Sequence, residues 1–159
     1  MENKIRAIVV TVSDTRSLSE DVSGDALVEC LEGIGEEILD RLIVSDDFEN
    51  LRQTLYSLSE TEANLILTTG GTGFAERDNT PEATLAVIEK ETPGLSEAMR
   101  YETMRNTKSA MLSRGVSGIR NSTLIINLPG SPKGVKECFD VVKDILPHSI
   151  NLILGETAH

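Results

Sequence analysis

Apolar positions along this chain alternate between two spacings. Residues 5–12, IRAIVVTV, form an almost unbroken run rich in β-branched side chains, and ANLILTT at 63–69 repeats the pattern. Runs of this kind predict strands buried on both faces, as in a parallel sheet. The segment 36–44, EEILDRLIV, carries more polar residues and predicts a strand nearer an edge. Elsewhere the spacing becomes helical: Leu27, Leu31 and Ile34 mark one helix face, and Leu51, Leu55 and Leu58 another. Gly33 and Gly35 end the first helix, and Ser45 or Asp46 is placed to cap the second. Residues 80–105 predict two short helices broken at Pro93-Gly94, and KSAMLSRG at 108–115 predicts one or two more helical turns. Strand-like runs at 116–120 and 123–128 flank Asn121-Ser122, a link short enough for a hairpin. In SPKGVKECFDVVKDIL, Val135, Cys138, Phe139, Val142, Ile145 and Leu146 form one apolar stripe, and a last helix covers 148–154. This order of elements predicts an α/β sandwich: a mostly parallel sheet, one antiparallel edge strand from the hairpin, and helices on both faces.

Ligands of such sheets bind at the carboxyl ends of the strands, and two loops expected there share a grammar. LILTTGGTGFAERDNTPEA and LIINLPGSPKGVKE each run from an apolar strand through glycine to a hydroxyl residue and a proline, Thr80-Pro81 and Ser131-Pro132. The hydroxyl suits a helix N-cap and the proline the first helical position. Both loops then bring free N–H groups and partial positive charge to one end of the sheet, and Lys133 adds a full charge. The first loop exceeds the ~2–6 residues that a strand-to-helix link needs. Its Gly70, Gly71, Thr72, Gly73 run is neither a Walker A loop nor a dinucleotide fingerprint. Ordinary connecting turns are the alternative reading of both loops.

Aspartates also follow three successive strands: Asp14, then Asp46 with Asp47, then Asp78. Singly, each is a helix cap; together beside a glycine loop they suit Mg²⁺, which favours carboxylates combined with phosphate oxygens. The hydroxyl-rich TVSDTRS after the first strand, including Ser13, is either a ligand contact or a solvated turn.

Composition narrows the class. The chain has 159 residues, which fits one domain over 1–159, and with 3% aromatics and no Trp its core is built from aliphatic residues. A net charge of −11 argues against a nucleic acid partner, though not against a small phosphorylated ligand at a helix N-terminus. Cys30 and Cys138 fall on apolar-periodic segments and read as buried free thiols. His148 and His159 offer neither a triad nor a zinc site. No run is apolar and long enough to span a bilayer and no targeting segment is read, so a cytoplasmic location is expected.

LTTGGTGFAERDNTPEATLAVIEKETPGLSEAMR and AMLSRGVSGIRNSTLIINLPGSPKGVKECFDVV resemble the MoaB/Mog family of molybdenum cofactor biosynthesis, which includes the domains fused in gephyrin and its plant counterpart. The likeness extends from VSDTR, around Ser13, to the last helices. It implies a three-layer α/β/α fold and a homotrimer, with hexamers in some members. It implies molybdopterin adenylyltransferase activity, in which the phosphate of molybdopterin attacks the α-phosphorus of ATP with Mg²⁺ required. The products are adenylylated molybdopterin and pyrophosphate, and the former passes to a partner enzyme that inserts molybdate or tungstate.

On this resemblance Gly70, Gly71, Thr72 and Gly73, with Thr80 after them, form the pterin and nucleotide loop. Asp78 of ERDNTPEA and Asp46 of VSDD are the essential acids and the Mg²⁺ ligands. A proline usually precedes the second acid; Ser45 stands there instead, and Asp47 follows as the alternative. Pro129, Gly130, Ser131 and Lys133 match a substrate-binding loop, and Ser13 and Asp14 the loop after the first strand. Such chemistry needs no nucleophilic side chain, in keeping with the lack of an evident one. The competing readings are a paralogue that binds the pterin without transferring adenylate, and a scaffold. Met99, Met104 and Met111 belong either to the core or to a face between subunits.

Overall fold

The computed structural model describes residues 4–156, so His159 lies outside the described residues. Strands β1 (Arg6–Val12), β2 (Glu37–Val44), β3 (Leu65–Thr69), β4 (Lys90–Glu91), β5 (Ser117–Arg120) and β6 (Thr123–Leu128) form one sheet in the order β2-β1-β3-β6-β5-β4. β2, β1, β3 and β6 run parallel, β5 is antiparallel to β6, and β4 is antiparallel to β5. The helices are α1 (Val22–Gly33), α2 (Phe48–Ser59), α3 (Thr80–Val87), α4 (Pro93–Thr103), α5 (Pro132–Val142) and α6 (Leu146–Ile153).

Successive strand residues point to opposite faces, and here both faces are covered. Ala7, Val9, Leu65, Leu67, Leu124 and Ile126 pack against apolar residues of α1, α4, α5 and α6. Ile8, Val10, Ile66 and Ile125 pack against Leu51 and Leu55 of α2 and Ala83 and Val87 of α3. Burial on both sides is why the strands read as unbroken apolar runs. β2 lies at the edge, as its polar content predicts, and most of its residues are only half-buried. The result is a three-layer α/β/α sandwich. Chain direction around β1 sends α1 to one face and α2 to the other, which opens a crevice beyond the carboxyl ends of β1 and β3.

Several local expectations change. The break between the third and fourth helices holds a strand: the chain leaves α3 at Val87, pairs Lys90–Glu91 with β5, and restarts as α4 on Pro93. β4 therefore lies outside β5, and a two-residue strand is too short to leave a periodic signal. A Cβ on Gly118 would come within 2.3 Å of the Ile88 side chain and 2.7 Å of the Lys90 carbonyl oxygen, so only glycine lets β4 approach. α1 begins before its apolar pattern because the buried Asp21 caps it, accepting from the Gly24 N–H at 2.9 Å while pairing with Arg41. α2 is capped by Asp47, not by Ser45 or Asp46. Ile145 is exposed because α5 ends at Val142, and the stripe resumes at the buried Leu146 of α6. Met99 joins the core, whereas Met104 and Met111 are exposed. Both cysteines are free; Cys138 is buried, and burial pushes its thiol up to about 11, while Cys30 is only half-buried.

Asn64 fastens the far end of the sheet. Its side-chain oxygen accepts from the Arg6 N–H at 2.7 Å, its amide donates to the Lys4 carbonyl at 3.0 Å, and its own carbonyl accepts from the Leu124 N–H. Asn64→Ala takes the side-chain partner from the Arg6 N–H and the Lys4 carbonyl, keeps the backbone bond to Leu124, and costs about 1–3 kcal/mol in urea unfolding. Reactions at the opposite end of the strands proceed unchanged per folded molecule.

Candidate functional site

β3 runs out at Thr69, and the next residues turn over the ends of its neighbours. Gly70 has φ +99°, and a Cβ there would lie 2.6 Å from the Val12 carbonyl oxygen; Gly71 has φ +68°. Only glycine adopts this left-handed backbone without cost while passing so close to β1. The Gly70 N–H donates to the Leu128 carbonyl, and Thr69 Oγ1 donates to the Pro129 carbonyl at 2.6 Å. A Cβ on Gly130 would sit 3.4 Å from the Gly70 Cα. The glycine loop and the Pro129, Gly130, Ser131 loop therefore meet backbone to backbone, and the shared grammar of the two loops becomes one site.

Their helix starts differ. Ser131 caps α5 as expected, accepting from the Gly134 N–H at 3.0 Å, with Pro132 first in the helix. Thr80 is instead the first residue of α3, and Asn79 holds the cap position with its side chain turned to the Asp46 and Arg77 carbonyls rather than to the helix N–H groups. The Thr80 hydroxyl reaches back to the Gly70 carbonyl at 2.9 Å, and its N–H to the Gly71 carbonyl at 3.1 Å. Thr80 thus closes the glycine loop onto its helix.

The acids separate by role. Asp47 is spent on the α2 cap, while Asp46 is 7% exposed and turned into the crevice. One oxygen of Asp46 accepts from the Asn79 N–H at 3.1 Å; the other lies against Gly71, where a Cβ would approach it to 2.8 Å. Burial pushes the Asp46 carboxyl above its usual range against the opposing Asn79 bond, and the charges of Asp78 and Asp14 add to the rise. Asp78 accepts from the Ala75 N–H through Oδ2, and the same oxygen faces Gly73, where a Cβ would lie 2.8 Å away. Two carboxylates thus stand against the Cα atoms of two glycines in one loop. Asp14 lies at the rim, exposed, gripping Arg77 through both oxygens at 2.7 and 3.0 Å, which holds its carboxyl below the usual range. It also accepts from the Asp46 N–H at 2.9 Å, so it positions Asp46.

Two expected residues stand apart. The Ser13 hydroxyl accepts from the Thr15 and Arg16 N–H groups and so organises its own turn. Lys133 is 80% exposed, with Glu137 at 4.0 Å, and projects from α5 into solvent.

A cavity of about 140 Å³ lies on the other side of these loops, between α4, α5 and the 109–115 segment. Ser96, Thr103, Ser109 and Ser113 line it with hydroxyls, Met99 and Cys138 supply apolar wall, and Ser131 borders it. No local pattern announces this pocket, because its walls come from three separated segments. Two ties into the site also lack a sequence signal. The buried Ser23 donates to the Gly130 carbonyl at 2.6 Å and accepts from Arg16, and Arg114 donates to the Gly73 and Asp78 carbonyls. Both depend on long-range contacts.

Comparison with known proteins shows what the chain is similar to. A family model described as "Probable molybdopterin binding domain" matches residues 8–148. A protein of Helicobacter pylori named molybdopterin adenylyltransferase is 42% identical over 155 residues, covering 92% of this chain and 86% of its own. The Drosophila melanogaster molybdenum cofactor synthesis protein cinnamon is 45% identical over 152 residues, and the match takes in 91% of this chain but only 25% of that protein. The crystal structure of the molybdopterin biosynthesis enzyme MoaB from Thermus thermophilus superposes with a TM-score of 0.87 at 43% identity, covering 95% of this chain and 97% of that one.

Proposed function

The chain belongs to the molybdopterin-binding-domain family, and from that premise we propose that it acts in molybdenum cofactor biosynthesis as a molybdopterin adenylyltransferase, joining the adenylyl group of ATP to the phosphate of molybdopterin and releasing pyrophosphate. The observation that carries this reading is the pair Asp46 and Asp78, each with an oxygen set against a glycine of one loop.

The reaction requires two phosphate groups held in line and their charge compensated. The substrate phosphate is itself the nucleophile, so the protein's task is placement. Gly70, Gly71 and Gly73 let backbone come close to a phosphate where a side chain would collide with the Val12 carbonyl at Gly70, with Thr80 and Asp46 at Gly71, or with Asp78 at Gly73. The N-terminus of α5, opened by Ser131, points free N–H groups toward anionic substrate. Lys133, long and unburied, swings from the rim onto the phosphate that approaches there. The hydroxyl-lined cavity beside Ser131 takes the pterin, whose ring edge is rich in hydrogen-bonding atoms.

Among the described residues no group of three acids, histidines or cysteines is placed to hold a metal ion by itself, so Mg²⁺ would be held by two carboxylates completed by water and phosphate oxygens, a donor set it favours. When bound, the ion supplies positive charge against the triphosphate and its leaving pyrophosphate. Asp46 and Asp78 are the residues that would hold it.

The chain is read as one domain working as a homo-oligomer, a trimer before a hexamer. The exposed Tyr101, Met104, Met111 and Leu112 give α4 and the segment after it an apolar surface suited to a second copy. Among the described residues no helix is long and apolar enough to cross a membrane. The reaction is assigned to the cytoplasm, with the product handed to a molybdenum-inserting enzyme. Anaerobic incubation of the purified protein with molybdopterin and Mg-ATP yields adenylylated pterin and pyrophosphate in equal amounts. Pterin binding without product would make the protein a carrier and remove the transfer reaction.

A further inference from the structure

We infer that Arg114 is a positioning residue that fixes the Asp78 loop to the wall of the cavity, so that wall and acid loop behave as one body. Its consequence for catalysis rests on the adenylyl-transfer reading, and its test on the proposed seat of the pterin in the cavity; the contacts themselves do not.

Arg114 engages the loop at both shoulders. Its backbone N–H donates to the Thr72 carbonyl at 2.8 Å, Nε to the Gly73 carbonyl at 2.8 Å, and Nη2 to the Asp78 carbonyl at 2.8 Å. Nη1 also pairs with Glu82 in the first turn of α3 at 2.7 Å. One planar guanidinium thus spans the start of the loop, the residue that bears the acid and the helix that follows. A lysine ammonium is a single point on a flexible stem and cannot reach all three at once. The other ties on this stretch are either local, such as Ala75 to Asp78, or face the opposite rim, as Arg77 does toward Asp14.

The residues that carry Arg114 belong to the cavity. Ser113 and Gly115, on either side of it, line the cavity together with Arg100. Arg100 Nη1 donates to both flanking carbonyls, at 3.4 Å to Ser113 and 2.7 Å to Gly115. Two arginines therefore act in series: Arg100 braces the 113–115 backbone from α4, and Arg114 transmits that brace to the carbonyl of Asp78. A ring seated in the cavity presses on the same wall and steadies the acid. The Glu82 pair is half-exposed, so it contributes little beyond aiming the guanidinium.

The test uses the full chain, with amide hydrogen exchange followed over residues 73–79, molybdopterin affinity, and kcat. In the wild type, molybdopterin alone slows exchange over 73–79. Arg114→Lys abolishes that protection, keeps the pterin Kd within about threefold, and lowers kcat about 10- to 100-fold, the scale of loss from slight misplacement of a reacting group. Glu82→Gln stays close to wild type in all three. Wild-type exchange over 73–79 that ignores the pterin overturns the inference, as does protection that survives Arg114→Lys or a loosened loop with wild-type kcat. If the wild type makes no product, the functional reading falls and the exchange measurements alone decide the clamp.

Discussion

Asp78→Asn lowers adenylyl transfer about 10²- to 10³-fold while leaving a folded chain that still binds molybdopterin. The fold survives because Asp78 makes its structural contact as an acceptor, from the Ala75 N–H at 3.0 Å, and an amide oxygen of the same shape accepts that bond. The remaining loop ties run through backbone carbonyls and through Arg114, and none needs the carboxylate charge. What disappears is the negative charge set against Gly73, where the account places the metal and the triphosphate. The measurement is kcat at saturating Mg-ATP beside a thermal melt and a pterin titration. Asp47→Asn is the matched control. Asp47 only caps α2, asparagine caps about as well, and activity stays within about twofold. Equal losses in the two variants would mean that the acids have been assigned to the wrong roles.

Gly71→Ala carries the largest combined effect on stability and activity. The residue sits at φ +68°, and an added Cβ would lie 2.2 Å from Thr80 Oγ1 and 2.8 Å from Asp46 Oδ2. The left-handed backbone alone costs about 1–2 kcal/mol with a side chain present. Relieving the contact moves Thr80 off the Gly70 carbonyl, adding about 1 kcal/mol for the lost bond. Urea unfolding shows a loss of about 2–3 kcal/mol. Displacement of Asp46 lowers kcat of the remaining folded protein by about 100-fold. Gly33→Ala is the counterpart: Gly33 is helical, a Cβ there meets nothing within 4 Å, and the change gains about 0.5–1 kcal/mol without touching activity.

These contrasts mark what the sequence makes legible. Strands buried on two faces are apolar along most of their length, so β1, β3 and β6 stand out from their neighbours, and the edge position of β2 follows from its diluted pattern. Glycines at positive φ and the Ser131-Pro132 helix start are local requirements, and they are readable for that reason. β4 is not, because a two-residue strand has no period and exists only through its pairing with β5. The choice among Ser45, Asp46 and Asp47 as the α2 cap turns on one residue of register. The competing demand of the crevice for Asp46 settles it, by the bond from Asn79, a residue 33 positions away. Arg114 illustrates the limit most clearly. In KSAMLSRG it reads as a polar position near a helical turn, yet its partners lie 32 to 41 residues upstream. The cavity is invisible for the same reason, being assembled from α4, α5 and the segment between α4 and β5.

In the proposed reaction the substrate phosphate, and no side chain, attacks ATP. The most direct test is isotope exchange between labelled pyrophosphate and ATP in the presence of Mg²⁺, with and without molybdopterin. Direct transfer puts label into ATP only when molybdopterin is present. Label entering ATP without the pterin would reveal an adenylylated side chain and contradict direct transfer, and no exchange under either condition together with no adenylylated pterin would remove adenylyl transfer from this protein.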